Sequence, residues 1–257
     1  MISRRQALLS AFGLAATAVV AACTGRSPVS VASSKPSAPA SPSPSASPTT
    51  TPLAAPVPSC VVTPAETEGS YFVDERLNRS DIRADVSGTG LRPGTPLTLA
   101  FGVYRMSGSG CAPWPGVQVD VWHCDAGGVY SDVSAQRSVG DNYLRGYQLT
   151  DDQGVARFQT IFPGWYMGRT VHIHFKIRAF SGPQRTYEFT SQVFFDDATT
   201  DRVYAAAPYS SRPARDTRNA GDMVYTSGGN SGAQLLMKVS SDGEGGYAGT
   251  FSIGLQA

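Results

Sequence analysis

The sequence predicts an all-β protein, a β-sandwich with long loops and little helix. Three observations predict it. From about Leu97 to the C-terminus, apolar and polar residues alternate with a period of two. The alternating runs are short and are separated by turns rich in Gly, Asp and Ser. No long run of helical period competes with them. Composition agrees: with 27 Gly, 18 Pro and only 16% charged residues, the chain suits a loop-rich β protein.

Taken in order, residues 117–122 (VQVDVW) alternate strictly, and 155–161 (VARFQTI) follow the hairpin-type turn signal Asp151-Asp152-Gln153-Gly154. Residues 171–177 (VHIHFKI) alternate again, and a run ending in 192–195 (QVFF) follows. Residues 235–239 and 247–253 flank a Ser/Asp/Gly turn and form a last hairpin. The span 196–232 has no period and is expected to be a long loop with a short helix. No internal repeat is visible.

The N-terminal part reads as an address and a tether. Arg4-Arg5 precede an apolar run from Ala7 to Ala22, too short and Ala-rich for an ordinary spanning helix, so residues 1–22 are expected to be a signal peptide. Ser3-Arg4-Arg5 is similar to a twin-arginine signal, although Ala7 stands where an aromatic is usual, which leaves Sec export open. Val20-Ala21-Ala22-Cys23 is similar to a bacterial lipobox with Cys23 as the lipidated residue. Residues 23–58, rich in Ser, Pro, Ala and Thr and free of aromatics, cannot bury enough apolar surface to order themselves. At ~3.1 Å per residue such a tether reaches roughly 100 Å. The expected location is the outer face of the cytoplasmic membrane, through the lipid anchor alone, or outside the cell. Residues 59–257 form the folded domain.

The net charge of +1 hides an asymmetry. Residues 1–58 hold Arg4, Arg5, Arg26 and Lys35 and no acids, which leaves 17 bases against 20 acids in the rest. A folded part at −3 is no nucleic-acid binder by charge, since a phosphate-binding surface needs a basic face. Near-neutrality suits an enzyme of a small molecule. Of the four cysteines, Cys60, Cys111 and Cys124 follow the tether, enough for one disulfide and one thiol in an exported protein. Cys111 and Cys124 flank the 117–123 strand, whose ends lie about 20 Å apart, too far to bridge. The expected pair is therefore Cys60–Cys124.

Two of the three histidines form His172-Ile173-His174. In a strand, residues i and i+2 share a face, so both imidazoles can converge on one metal while Val171, Ile173, Phe175 and Ile177 pack on the other side. Alone, the pair reads rather as a strand with one polar, solvated face. Upstream, however, stand Tyr166 and Arg169, and further back a strand runs through a Gly-relaxed turn to Tyr130. Two phenols and two imidazoles without carboxylate or thiolate form an unusual ligand set. A phenol of pKa ~10 must be ionised by a strong Lewis acid, and hard, trivalent iron matches it better than zinc does.

In five ordered segments the chain resembles the intradiol ring-cleavage dioxygenases. These are 67–71 (TEGSY), 119–130 (VDVWHCDAGGVY), 144–151 (LRGYQLTD), 162–175 (FPGWYMGRTVHIHF) and 190–195 (TSQVFF). The resemblance implies that Tyr130, Tyr166, His172 and His174 hold Fe(3+), with a solvent hydroxide as fifth ligand. It implies that Tyr166 leaves the metal when substrate chelates, that Arg169 stabilises negative charge on the substrate, and that Gln192 lines the substrate side. The implied reaction takes a catechol-type aromatic and molecular oxygen to a cis,cis-muconate. His123 stands where many relatives have Gln and is taken as structural. Two departures, a short 166–169 segment and Ser70 in place of a common proline, leave the substrate open. Two other classes stay in view. One is a non-catalytic surface binding lipoprotein on the same scaffold. The other is a copper or zinc enzyme using only His172 and His174, insensitive to Tyr130→Phe and Tyr166→Phe.

Overall fold

The computed structural model describes residues 53–108, 110–227 and 231–257; the expected signal peptide, Cys23 and nearly all of the tether lie outside them. Two sheets face each other. One holds β1 (Pro96–Ser107), β2 (Gly110–Pro113), β5 (Val155–Ile161), β8 (Lys238–Ser241) and β9 (Tyr247–Leu255), with β1 between β9 and the pair β2/β5. The other has the order β4 (Arg145–Leu149), β3 (Gln118–Trp122), β6 (His172–Ser181), β7 (Gln184–Phe194), antiparallel throughout. The expected β-sandwich is present.

The alternation sets the core. Leu99, Phe101 and Val103 of β1 face Val119 and Val121 of β3 and Ile173, Phe175 and Ile177 of β6, all buried between the sheets. At roughly 25 cal/mol per Å² of apolar surface, such side chains contribute about 1.5–3 kcal/mol each. On the outer face of the second sheet, residues directly opposite one another form a row, Arg145–Trp122–His174–Gln192. A segment of about twenty residues without regular strands, 63–82, covers that face. Glu66 N donates to Thr190 O, Tyr147 N donates to Leu77 O, Lys176 pairs with Glu68, and Arg178 pairs with Asp74. The polar face of β6 is thus covered rather than solvated.

Three expectations change. The disulfide joins Cys60 to Cys111, with Cα atoms 5.4 Å apart, and Cys124 is the buried thiol. Cys124 does not bridge Cys111, as expected. But β2 folds back so that Cys111 lies opposite Met106 of β1, and Val62 bridges Gly254 on neighbouring β9, which brings Cys60 alongside. The 235–239 run does not enter its hairpin until Lys238, because Phe194 exchanges backbone hydrogen bonds with Leu235 and Met237. Span 196–232 carries more helix than expected: α1 (Asp197–Tyr204), α2 (Met223–Thr226) and α3 (Ser231–Gln234), with two 3-10 turns. Among the described residues, no helix is long and apolar enough to cross a membrane.

Candidate active site

At one end of the second sheet four ligand-type side chains converge. His172 and His174 project from β6 to the same side, their Nε2 atoms 3.1 Å apart. Tyr166 Oη lies 3.2 Å and Tyr130 Oη 3.5 Å from His172 Nε2. Tyr130 is brought there by the turn after β3, where the Asp125 carboxylate accepts from Gly127 N and Val129 N. Gly128 needs its positive φ of 85°, and a Cβ there would meet the Trp165 carbonyl oxygen at 2.3 Å, so only glycine fits. The same turn holds the second phenol, since Gly164 N donates to Asp125 O. Tyr166 then lies in the turn closed by Arg169 N on Tyr166 O. Among the described residues, no three His, Cys, Asp or Glu side chains cluster as metal ligands, so the phenols are needed to complete a donor set.

The imidazoles are neutral by burial. Desolvation pulls His172 down to about 3 and His174 well below the usual range, with the Arg169 charge adding to both. Burial also raises Tyr130 far above 10 and Tyr166 to about 12, so without a cation both phenols keep their protons. His172 Nδ1 donates to Thr170 O at 2.6 Å, which leaves a lone pair on Nε2 aimed into the cluster. His174 faces that lone pair through its own Nε2 at 3.1 Å, alongside the Tyr166 hydroxyl at 3.2 Å. Its Nδ1 is buried without a partner.

Comparison with known proteins gives the family. Residues 67–216 match the Dioxygenase family model, Dioxygenase_C. An intradiol ring-cleavage dioxygenase structure from Tetranychus urticae superposes with a TM-score of 0.65 at 28% identity, covering 77% of this chain and 95% of that one. The dioxygenase domain of a dioxygenase carbohydrate-binding protein fusion from Streptomyces sp. SirexAA-E gives 0.54 at 31% identity, covering 77% and 99%. Chlorocatechol 1,2-dioxygenase from Pseudomonas putida is 30% identical over 102 residues, 32% of this chain and 38% of that protein's length. The chain belongs to the intradiol ring-cleavage dioxygenase family.

In this member of the family, the two other candidate residues meet beside the cluster. Arg169 Nη2 donates to Gln192 Oε1 at 2.6 Å, and Gln192 Nε2 donates to Thr67 O at 2.8 Å. His123 does not join the donors. Its ring nitrogens bond Cys124 O and Thr160 Oγ1, and burial lowers it to about 4, as befits a structural histidine.

Sequence reasoning missed several residues. Asp222 is fully buried and accepts from Arg169 Nε at 2.8 Å, from Thr170 N at 2.7 Å, and from Val224 N and Tyr225 N at the start of α2. Its carboxyl sits below the ordinary value, because the Arg169 charge and these hydrogen bonds outweigh burial. Trp122 stacks on His174, with centroids 5.0 Å apart and planes 9° from parallel. Tyr71 lies against both phenol rings, 4.7 Å from Tyr130 and 6.1 Å from Tyr166. An Asp before a short apolar run signals a helix cap in the sequence, but nothing there ties it to Arg169.

Proposed function

We propose that this chain is an exported, lipid-anchored, iron(III)-dependent intradiol dioxygenase. On this reading residues 1–22 direct export, Cys23 carries the lipid, 23–58 are the tether and 59–257 the enzyme. It would cleave a catechol-type ring between its two hydroxyl-bearing carbons, placing both atoms of O2 in the two carboxylates of a cis,cis-muconate, so no external reductant is needed. The observation that carries the proposal is the meeting of Tyr130 Oη, Tyr166 Oη and His174 Nε2 within 3.5 Å of His172 Nε2.

The donor set fits the metal. Two neutral imidazoles and two phenols that only a strong Lewis acid would ionise suit hard, trivalent iron better than zinc or copper. Tyr130, Tyr166, His172 and His174 would hold it. When bound, iron(III) would supply the Lewis acidity that ionises these phenols and the substrate hydroxyls and draws electron density from the ring.

The chain's own residues divide the remaining work. Tyr130 is fully buried, whereas Tyr166 is half-buried in a surface turn, so Tyr166 is the phenol able to swing aside and take a substrate proton on Oη. The Arg169 guanidinium stabilises negative charge on the ring, and its orientation is fixed by Asp222 on one side and Gln192 on the other. Tyr71 and the 67–71 segment cover the donors from outside and limit water.

The test is the visible spectrum of the iron-loaded protein, with and without catechol under anaerobic conditions. A tyrosinate-to-iron(III) band that shifts with catechol, followed by oxygen uptake on aeration, is the expected result. A colourless protein indifferent to catechol would reject the proposal.

A further inference from the structure

Behind the ligand cluster, on the β4 side of Trp122, lies a cavity of about 20 Å³ whose walls include Phe72, Glu75, Asp120, Trp122, Arg145 and Tyr147. Three of these lining residues each carry a buried polar atom that has no hydrogen-bond partner: Glu75 Oε1, Trp122 Nε1 and Arg145 Nη1. The rest of the Arg145 guanidinium is engaged, Nε with Ser131 Oγ at 2.8 Å and Nη2 with Ser131 O at 2.6 Å, so Nη1 is the one nitrogen left over. Leaving three such atoms unsatisfied would cost about 1–3 kcal/mol each, and native interiors rarely tolerate that.

We infer that Glu75, Trp122 and Arg145 bind one water molecule, and that this water positions Trp122 and, through it, His174. The size is right, since one water needs roughly 10–15 Å³ measured this way. The chemistry matches too. Trp122 Nε1–H and Arg145 Nη1–H would supply two donors for the water's lone pairs, and Glu75 Oε1 would accept one of its protons. A cation would be opposed by Arg145, and an anion by Glu75. A neutral molecule that both donates and accepts suits all three.

Position makes the water consequential. Arg145, Trp122 and His174 are direct cross-strand neighbours in one row. Trp122 lies flat on the His174 imidazole and is backed by Phe72 at 4.8 Å. His174 has no hydrogen bond at Nδ1, so apart from the Nε2 contact to His172 the stacked indole is what holds the ring. Fixing Nε1 stops the indole from turning in its own plane and keeps its stacked face in place. Trp122, Glu75 and Arg145 are thus positioning residues. That half of the inference rests on His174 being a metal ligand; the water does not.

The test uses the whole chain, 15N-labelled, first metal-free and then iron-loaded. In the metal-free protein a water cross-relaxation peak at the Trp122 indole N–H, assigned with Trp122→Phe, is expected. Glu75→Leu should abolish it, and Glu75→Gln, which keeps an acceptor, should retain it. In chelator competition, Glu75→Leu should weaken iron binding by about tenfold or more and Glu75→Gln by far less. A wild-type protein without the peak, or a peak that survives Glu75→Leu, overturns the water site, and should Glu75→Leu not fold the wild-type spectrum decides alone. Loss of the peak with iron affinity unchanged overturns the positioning role. A wild-type protein that keeps the water but binds no iron contradicts the dioxygenase reading and leaves the water site standing.

Discussion

His172 is held from behind by a hydrogen bond, Nδ1 to Thr170 O, and that residue is held in turn, its N by Asp222 and its Oγ1 by Asn219. His174, two residues along the same strand face, has no such support. Its hydrogen-bond contact is to His172 across the cluster, Nε2 to Nε2 at 3.1 Å; otherwise it lies flat against Trp122, with Gly69 so near that a Cβ there would meet Cε1 at 3.2 Å. A hydrogen bond fixes both ring direction and tautomer, whereas stacking fixes a plane and leaves the tautomer free. So His172 is preset with its lone pair on Nε2. His174 can carry its proton on Nε2 toward His172 and release that atom to a cation by moving the proton to Nδ1. One imidazole is rigid, the other adaptable, and the adaptable one depends on packing.

The largest expected effect tests what the two imidazoles share. His172, His174 and His123 are buried neutral, with values lowered from 6.5 to about 3, well below 6.5, and about 4 respectively. As pH falls below 6.5 the unfolded chain takes up protons that the metal-free folded chain refuses. Stability is therefore full above pH 6.5 and declines as pH falls toward 4. The loss should be on the order of several kcal/mol, read from urea midpoints across pH. His172→Gln and His174→Gln should each flatten the slope; an unchanged slope in both would mean that neither ring is buried neutral.

Asp222 separates the two sides. Its carboxyl is lowered below 3.8, so its contribution is complete above about pH 4 and is lost only as pH falls through the lowered value. That window lies below most of the histidine range. At pH 7, Asp222→Ala removes the partner of Arg169, the acceptor for Thr170 N and the cap of α2 at once. With Arg169 17% exposed, the expected cost is about 3 kcal/mol, toward the lower end for a broken buried pair. Asp222→Asn keeps an acceptor and a good cap and should cost about 1 kcal/mol. Catechol turnover should fall far more in the alanine variant, because Arg169 loses its orientation. Equal effects of the two substitutions would assign the role to charge alone.

The adaptable side was the more legible in sequence, and the rigid side the less. Period-two alternation located β3, β5, β6 and β9, and with them Trp122, His172 and His174. Tyr130, Tyr166, Arg169 and Gln192 came from the order of the five motif segments, and the fold brings all of them to one place. Asp222 was hidden because span 196–232 has no period, and its link to Arg169 crosses 53 residues. Apart from its 67–71 motif, the 63–82 cover was hidden for a similar reason: it binds the sheet through isolated bridges and side-chain pairs, which leave no repeat. The Cys60 partner could not be chosen from spacing, because only the β2 hairpin brings Cys111 back along β1.

The smallest expected effect probes the adaptable side directly. Gly69 has a φ of 75°, and a Cβ there would meet His174 Cε1 at 3.2 Å. Gly69→Ala should cost about 1–2 kcal/mol for the left-handed backbone alone. The further push on the imidazole meets no hydrogen bond at Nδ1, so the ring should slide along Trp122 rather than stay. Iron affinity should then fall by more than the change in folding stability accounts for, and the tyrosinate band should shift. Asp222→Asn, at a comparable stability cost but on the His172 side, should leave the band where it is. If Gly69→Ala changes stability without moving iron affinity or the band, His174 is held as firmly as His172, and stacking on Trp122 supplies the direction that a hydrogen bond supplies next door.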